Sequence, residues 1–221
     1  MTDIQGRFDL MERNLYSAVI SDVLDDLGYT YNNRVMRRDI RPLYPEAVVA
    51  GSAAPVLATD IYEIRENPYE GEIAYVDSLE KDDVVIASTG GSDRYGIWGE
   101  LLSTAARVRG ARGAIIDGLT RDVKKILEMR FPVFASGINP LDSKGRGWIV
   151  DHDCPVQCGG VLVNPGDIVF GDLDGVVVIP KKDANKAISM ALERAEKEDL
   201  TRKMLMEGAF LKDAYEKYGV L

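Results

Sequence analysis

The chain has 221 residues, 46% of them hydrophobic and 29% charged, a balance that excludes a disordered, collagen-like or disulfide-stapled chain and leaves room for a sizeable core. Asp and Glu outnumber Lys and Arg by 36 to 27, so a phosphate backbone or an anionic membrane is repelled at long range and direct nucleic-acid binding is not expected. Two cysteines, Cys154 and Cys158, and one histidine, His152, cannot complete a structural zinc set.

The N-terminal text MTDIQGRFDLMERNLYSAVI lacks the basic start and apolar run of a signal peptide, and no stretch reaches the ~20 apolar residues of a membrane span. A cytoplasmic protein is expected. Residues 8–28 place Leu10, Leu15, Val19, Ile20, Val23, Leu24 and Leu27 mostly three or four apart before Gly28, which predicts an N-terminal helical region. From Ile40 to Leu57 short apolar bursts with Pro and Gly read as strands and turns.

VVIAS after Asp82 and Asp83 is a buried-strand pattern that runs into Thr89-Gly90-Gly91-Ser92. Ile97, Leu101, Ala105 and Val108 then fall on one helical face, closed by Gly110. Residues 113–117 form the next strand, Arg121 to Met129 a short helix, and 132–135 another strand. Three strand-then-helix steps favour parallel pairing. After Asn139, bursts broken by Asn-Pro-Gly-Asp and Asp-Leu-Asp-Gly predict an antiparallel meander with tight turns. A helix from about Asp183 to Glu207 ends the pattern. No repeat or linker divides residues 1–221, so one domain is expected.

The stretch from Gly99 to Asp122, GELLSTAARVRGARGAIIDGLTRD, carries the chemistry. Its two loops leave the carboxyl ends of neighbouring strands, where open α/β sheets bind ligands, and a helix opening after Gly96 offers free N–H groups to an anion. Arg121 beside Asp122 can divide labour: the guanidinium fork binds a carboxylate and a developing enolate oxygen, and the carboxylate takes a hard divalent cation. On local pattern alone Asp122 reads first as a helix cap beside a solvent-facing Arg121. The lysines cluster in polar company, such as Lys124-Lys125 and Lys181-Lys182, which disfavours a Schiff-base route. No phosphate loop or dinucleotide fingerprint is present. His152 reads as a surface residue, and Trp98 and Trp148 as core or contact residues.

Glu100, twenty intervening residues and Arg121-Asp122 resemble the acid-x20-Arg-Asp signature of the 4-hydroxy-4-methyl-2-oxoglutarate aldolase family, which includes the regulators of ribonuclease E activity. Residues 17–30, 40–57, the GGS turn, PVFASGINPLDSKGRG and PGDIVFGDLDGVVVIP also look like that family's text, in order. The resemblance implies a layered α/β domain of the swivelling type with N- and C-terminal helices, assembled as a trimer or dimer of trimers through subunit contacts of the terminal helix. It implies a substrate-binding turn at Gly99, Glu100, Leu101 and Leu102, substrate contact by Arg121, and Mg²⁺ or Mn²⁺ on Asp122. It also implies a C-terminal glutamate reaching the neighbouring subunit's metal waters, for which Glu198 is the best match and Glu196 and Asp199 are rivals; the bland reading of Glu198 is a surface ion pair with Arg202. Glu100 stands where the aldolases commonly have Asp, and the extra methylene moves its carboxylate out by ~1 Å, which favours a water-mediated role.

The implied function is cleavage of a 4-hydroxy-2-oxo acid, with oxaloacetate decarboxylation through the same pyruvate enolate. The alternative is a non-catalytic regulator that binds a ribonuclease.

Overall fold

A computed structural model describes residues 4–31 and 33–220; the ends of the 1–221 domain assignment therefore lie outside the described residues. The fold is mixed α/β with helices at both ends. The elements are α1 (Ile4–Asn14), α2 (Ser17–Leu24), β1 (Arg41–Pro42), β2 (Val49–Asp60), α3 (Glu70–Ser78), β3 (Asp83–Ser88), β4 (Gly96–Trp98), α4 (Glu100–Arg109), β5 (Gly113–Thr120), α5 (Val123–Met129) and β6 (Val133–Ile138). They continue with β7 (Gly147–His152), β8 (Val156–Cys158), β9 (Val161–Val163), β10 (Ile168–Asp172), β11 (Gly175–Ile179), α6 (Ala184–Met206) and α7 (Leu211–Tyr218).

The main sheet runs β1-β6-β5-β3-β2-β10-β11, with β4 added to β5 and β7 to β2. Strands β2, β3, β5 and β6 are parallel, as the strand-then-helix text predicts. Alternation along these strands sorts side chains between two layers. Val85, Ala87, Ala114, Ile116, Val133 and Ala135 pack under α3–α5, with Tyr75, Val76, Ala106 and Ile126. Val84, Ile86, Ile115 and Phe134 face the β8–β9 hairpin, through Val156, Cys158, Val161 and Val163. A third cluster joins α1, α2 and α6 to Ile168, Phe170, Val177 and Ile179.

The helical region 8–28 is two helices. Tyr16 is extended at φ −142°, and α2 restarts where Asp172 accepts the Ser17 N–H at 2.8 Å and its hydroxyl at 2.7 Å, a cap supplied by a remote strand. The expected face through Ile97, Leu101, Ala105 and Val108 is not the buried one. Ile97 belongs to β4, α4 starts at Glu100, and Leu101 and Val108 are 75% and 83% exposed while Ser103 and Ala106 are buried. The segment after Asn139 forms antiparallel hairpins but not one meander. β7 returns to β2, β8 and β9 form their own sheet, and β10–β11 extends β2.

The expected stripe of Ala184, Ile188, Ala191 and Ala195 is buried on α6. Beyond it Thr201 is buried, and α7 packs against α6 and buries Ala214. Among the described residues no helix is long and apolar enough to cross a membrane. Trp98 is buried and donates its indole N–H to Ser103 Oγ at 2.8 Å, whereas Trp148 lies under the Arg65 guanidinium. His152 sits partly exposed at the end of β7 against Tyr75, and both cysteines are free thiols.

Candidate active site

Strand β5 ends by locking onto β4. Thr120 Oγ1 and the Arg121 N–H both donate to the Trp98 carbonyl at 2.8 Å, which brings the Gly-rich turn before α4 against Arg121 and Asp122. The fit depends on two glycines. A Cβ at Gly99 would stand 2.6 Å from Asp122 Oδ2 and 3.2 Å from Arg121 Cγ, and one at Gly96 would stand 2.8 Å from the Asn139 carbonyl oxygen.

Asp122 precedes α5 but its side chain makes no cap bond, so the capping alternative does not describe it. Its backbone is left-handed at φ +56°, an uncommon conformation for a residue with a side chain. The carboxylate turns instead toward the α4 amino end, with Oδ2 3.4 Å from the Glu100 N–H nitrogen and 3.5 Å from Arg121 Nε. Both distances exceed a strong hydrogen bond. Arg121 makes its shorter ion pair elsewhere, Nη1 to Asp142 Oδ1 at 3.1 Å, and the other Asp142 oxygen accepts the Tyr69 hydroxyl.

These groups line a cavity of about 420 Å³ that contains Gly99, Leu101, Leu102, Arg121 and Asp122 on one side and Tyr69, Glu72 and Asp142 from other segments. Leu101 and Leu102 lie in the first turn of α4, whose N–H groups have no intrahelical acceptor. Glu100 does not line the cavity. Its carboxylate accepts the Thr104 hydroxyl at 2.9 Å, one turn along its own helix. Burial tends to raise the Asp142 carboxyl, but the Tyr69 hydrogen bond and the Arg121 charge outweigh it and hold Asp142 below the usual carboxylate range.

Glu198 is not brought to this cavity within the chain. Its carboxylate accepts the Tyr16 hydroxyl and lies 3.6 Å from Arg194 Nε; the expected partner Arg202 bonds Asp199 instead. Sequence reading missed Tyr69 and Glu72, because α3 was not identified, and Asp142, which lies in the connection between β6 and β7 and carries no periodic signal. The signal for α3 was a three-residue spacing of Ile73, Val76 and Leu79 behind the first-turn acids Glu70 and Glu72.

The donor set bears on a cation. Among the described residues no group of three or more His, Cys, Asp or Glu side chains could cage a metal ion. A single carboxylate such as Asp122, half-exposed on the cavity wall, does fit a hard ion that keeps most of its waters, the usual habit of Mg²⁺.

Comparison with known proteins places this chain. Residues 18–178 match the family described as RraA-like, Aldolase/RraA. A Halalkalibacterium halodurans protein named "Putative 4-hydroxy-4-methyl-2-oxoglutarate aldolase" is 28% identical over 217 residues, 97% of this chain and 96% of that one. The protein DlpA of Legionella pneumophila is 29% identical over 93% of this chain, which spans 32% of DlpA. MJ0644 of Methanocaldococcus jannaschii is 38% identical over 62% of this chain and 66% of its own length. Among solved structures, Streptomyces coelicolor RraAS2, described as an unusual member of the RNase ES inhibitor RraA protein family, superposes with a TM-score of 0.78 at 25% identity, covering 90% of this chain and 96% of that one. A match covering 161 residues, from 18 to 178, with Arg121, Asp122 and the strand that precedes them inside it, shows that the chain belongs to the RraA-like, Aldolase/RraA family.

Proposed function

We propose that the chain is a divalent-metal-dependent pyruvate lyase that cleaves a 4-hydroxy-2-oxo acid such as 4-hydroxy-4-methyl-2-oxoglutarate and decarboxylates oxaloacetate through the same enolate. The observation that carries this reading is the pairing of the Arg121 guanidinium with the Asp122 carboxylate on the wall of one cavity, beside the open amino end of α4. Kinship with proteins named as aldolases supports it.

In this reading the substrate 1-carboxylate lies against the N–H groups of Leu101 and Leu102 and the Arg121 fork. Arg121 also meets the 2-oxo oxygen, where negative charge grows as the carbon–carbon bond breaks, so its contribution is larger in the transition state than in the ground state. Asp122 would hold Mg²⁺ or Mn²⁺, which when bound supplies Lewis-acid polarisation of the 2-oxo group. Glu100, held by Thr104, acts on the substrate through water.

The test is pyruvate release from oxaloacetate and from 4-hydroxy-2-oxo acids. Excess EDTA should abolish it and added Mg²⁺ or Mn²⁺ restore it; full turnover in chelator would overturn the metal-dependent class. Likeness to RraAS2 supports a second reading, a regulator that binds a ribonuclease without catalysis, and absence of pyruvate release from every substrate would favour it.

The proposal extends to a homo-oligomer in which Glu198 serves a neighbour's site, which requires the Tyr16–Glu198–Arg194 group to lie at the subunit boundary. Mixing inactive Asp122→Ala with Glu198→Ala chains should then regain partial activity. An unimpaired Glu198→Ala enzyme would confine the site to one chain.

A further inference from the structure

Three carboxyl groups line the Arg121 cavity: Asp122, Asp142 and Glu72. Asp122 and Asp142 both have Arg121 beside them, at 3.5 and 3.1 Å. Glu72 stands apart. It projects from the first turn of α3 and lines, besides this cavity, an apolar crevice formed by Val56, Ile97, Trp98, Leu102 and Ile149. One side of its carboxyl therefore meets the cavity that holds Arg121, Asp122 and Asp142, which is large enough for a small 2-oxo acid, and the other meets hydrocarbon.

We propose that Glu72 is the acid and base that delivers and removes the proton at C3 of the pyruvate enolate, an inference that rests on the lyase reading above. When the C3–C4 bond breaks, its electron pair becomes the C2–C3 double bond, and the 2-oxo oxygen takes the negative charge against Arg121. C3 then takes the proton of the neutral Glu72 carboxyl, the double bond collapses to restore the 2-oxo group, and pyruvate forms. The Glu72 carboxylate regains a proton from water. In aldol cleavage the C4 hydroxyl gives a proton to water, so none is consumed overall. In oxaloacetate decarboxylation CO₂ leaves and one proton is taken up.

The surroundings suit this role. Burial raises the Glu72 carboxyl to about 7, with the Asp142 charge adding to the rise while Ser143 and Arg121 oppose it. A general acid is most effective near the working pH, and two carboxyls whose environments drive them apart mark an acid–base assignment. Asp142, held ionised by Tyr69 and Arg121, is the fixed charge of the pair, and Glu72 is the one that exchanges its proton. Three tyrosines on this side, Tyr69, Tyr75 and Tyr95, are shifted upward and stay neutral: Tyr69 chiefly through its bond to Asp142, and Tyr75 and Tyr95 through burial.

The decisive measurement is exchange of pyruvate methyl protons for deuterium in D₂O, followed by NMR on the Mg²⁺-loaded enzyme beside oxaloacetate cleavage. Glu72→Gln should lower methyl exchange by ~10²-fold or more, the scale of a lost general acid–base group. Carbon–carbon cleavage should fall less, because a released enolate can take its proton from water. The ionisation of Glu72 should vanish from the pH–rate profile. A merely structural Glu72 would lower exchange and cleavage together.

Stability gives a readout independent of turnover. A carboxyl raised in the folded state favours folding while protonated, and that stability is lost as pH rises from the unfolded value near ~4 through the raised one. Glu72→Gln should therefore gain in Tm relative to wild type between pH 5 and pH 8. Should Glu72→Gln not fold, Glu72→Asp carries the test with an exchange rate about tenfold below wild type, because the shortened acid reaches C3 poorly. Exchange within threefold of wild type in the folded variant, with an unchanged pH profile, would overturn the assignment. A wild-type enzyme that neither exchanges nor cleaves would overturn the lyase reading and this inference with it, whereas an active wild type with an indifferent Glu72 removes only Glu72.

Discussion

Strand β5 has an arginine at each end, Arg112 just before Gly113 and Arg121 just after Thr120, and the two are built for opposite purposes. Arg112 is enclosed. Its Nη2 lies 2.7 Å from both Asp9 and Glu12, its Nη1 lies 3.0 Å from Asp82, and only 16% of its side chain is exposed. Glu12 in turn accepts the Ala50 N–H at 2.9 Å, so the cluster ties α1 to the starts of β2, β3 and β5. Arg121 has one short partner, Asp142, one long one, Asp122, and a cavity in front of it. A guanidinium with four of its five donors taken, as in Arg112, holds structure together, and one with more donors to spare can meet a substrate.

The sharpest way to break this contrast is Arg121→Lys. It keeps the charge but loses the planar fork, and kcat/KM for pyruvate release should fall by ~10²-fold or more, the scale of losing one transition-state donor. Little change in Tm is expected, since no buried carboxylate is stranded. A variant within threefold of wild type on every substrate would remove Arg121 from the chemistry.

The reverse pattern belongs to Arg112→Met. Removing the arginine of this partly buried ion cluster leaves carboxylates without their partner and should cost about 2 kcal/mol in urea unfolding, with kcat per folded molecule unchanged. The pH dependence has a definite sign. The Asp9 carboxyl is held below its usual range, first by its hydrogen bond to Arg112 and then by that residue's charge. The stability it confers is present above the unfolded carboxylate value of ~4 and is lost as pH falls through the depressed one. The advantage of wild type over Arg112→Met should therefore shrink in acid; an advantage that grows on acidification would contradict the cluster.

Gly99→Ala should give the smallest effect. Gly99 is extended at φ −148°, which alanine adopts freely, so the penalty is the contact of 2.6 Å with Asp122 Oδ2 and not backbone strain. The carboxylate must turn away while the strand stays, which should raise the Mg²⁺ concentration needed for half-maximal activity and lower kcat/KM by ~10-fold, with Tm nearly unchanged. Equal metal dependence in the variant and wild type would show that Asp122 does not depend on that turn.

Periodicity and spacing were sufficient for the parallel strands, for α6 and for the placing of Arg121 and Asp122 at a strand end. The reason is local: buried strands between helices must carry near-continuous apolar runs, and helix ends carry their own stop signals. Tertiary structure decided the rest. Asp172, a strand residue far along the chain, caps α2 and splits the N-terminal helix. Pairing of β4 with β5 removes Ile97 from the helix that its spacing suggested, since both the Arg121 N–H and the Thr120 hydroxyl claim the Trp98 carbonyl. Tyr69, Glu72 and Asp142 reach the cavity from positions 53 and 50 residues before and 20 residues after Asp122. The value of an ionisable side chain depends on what surrounds it: hydrocarbon raises Glu72, Tyr69 and Arg121 hold Asp142 down, and no one-dimensional pattern records either.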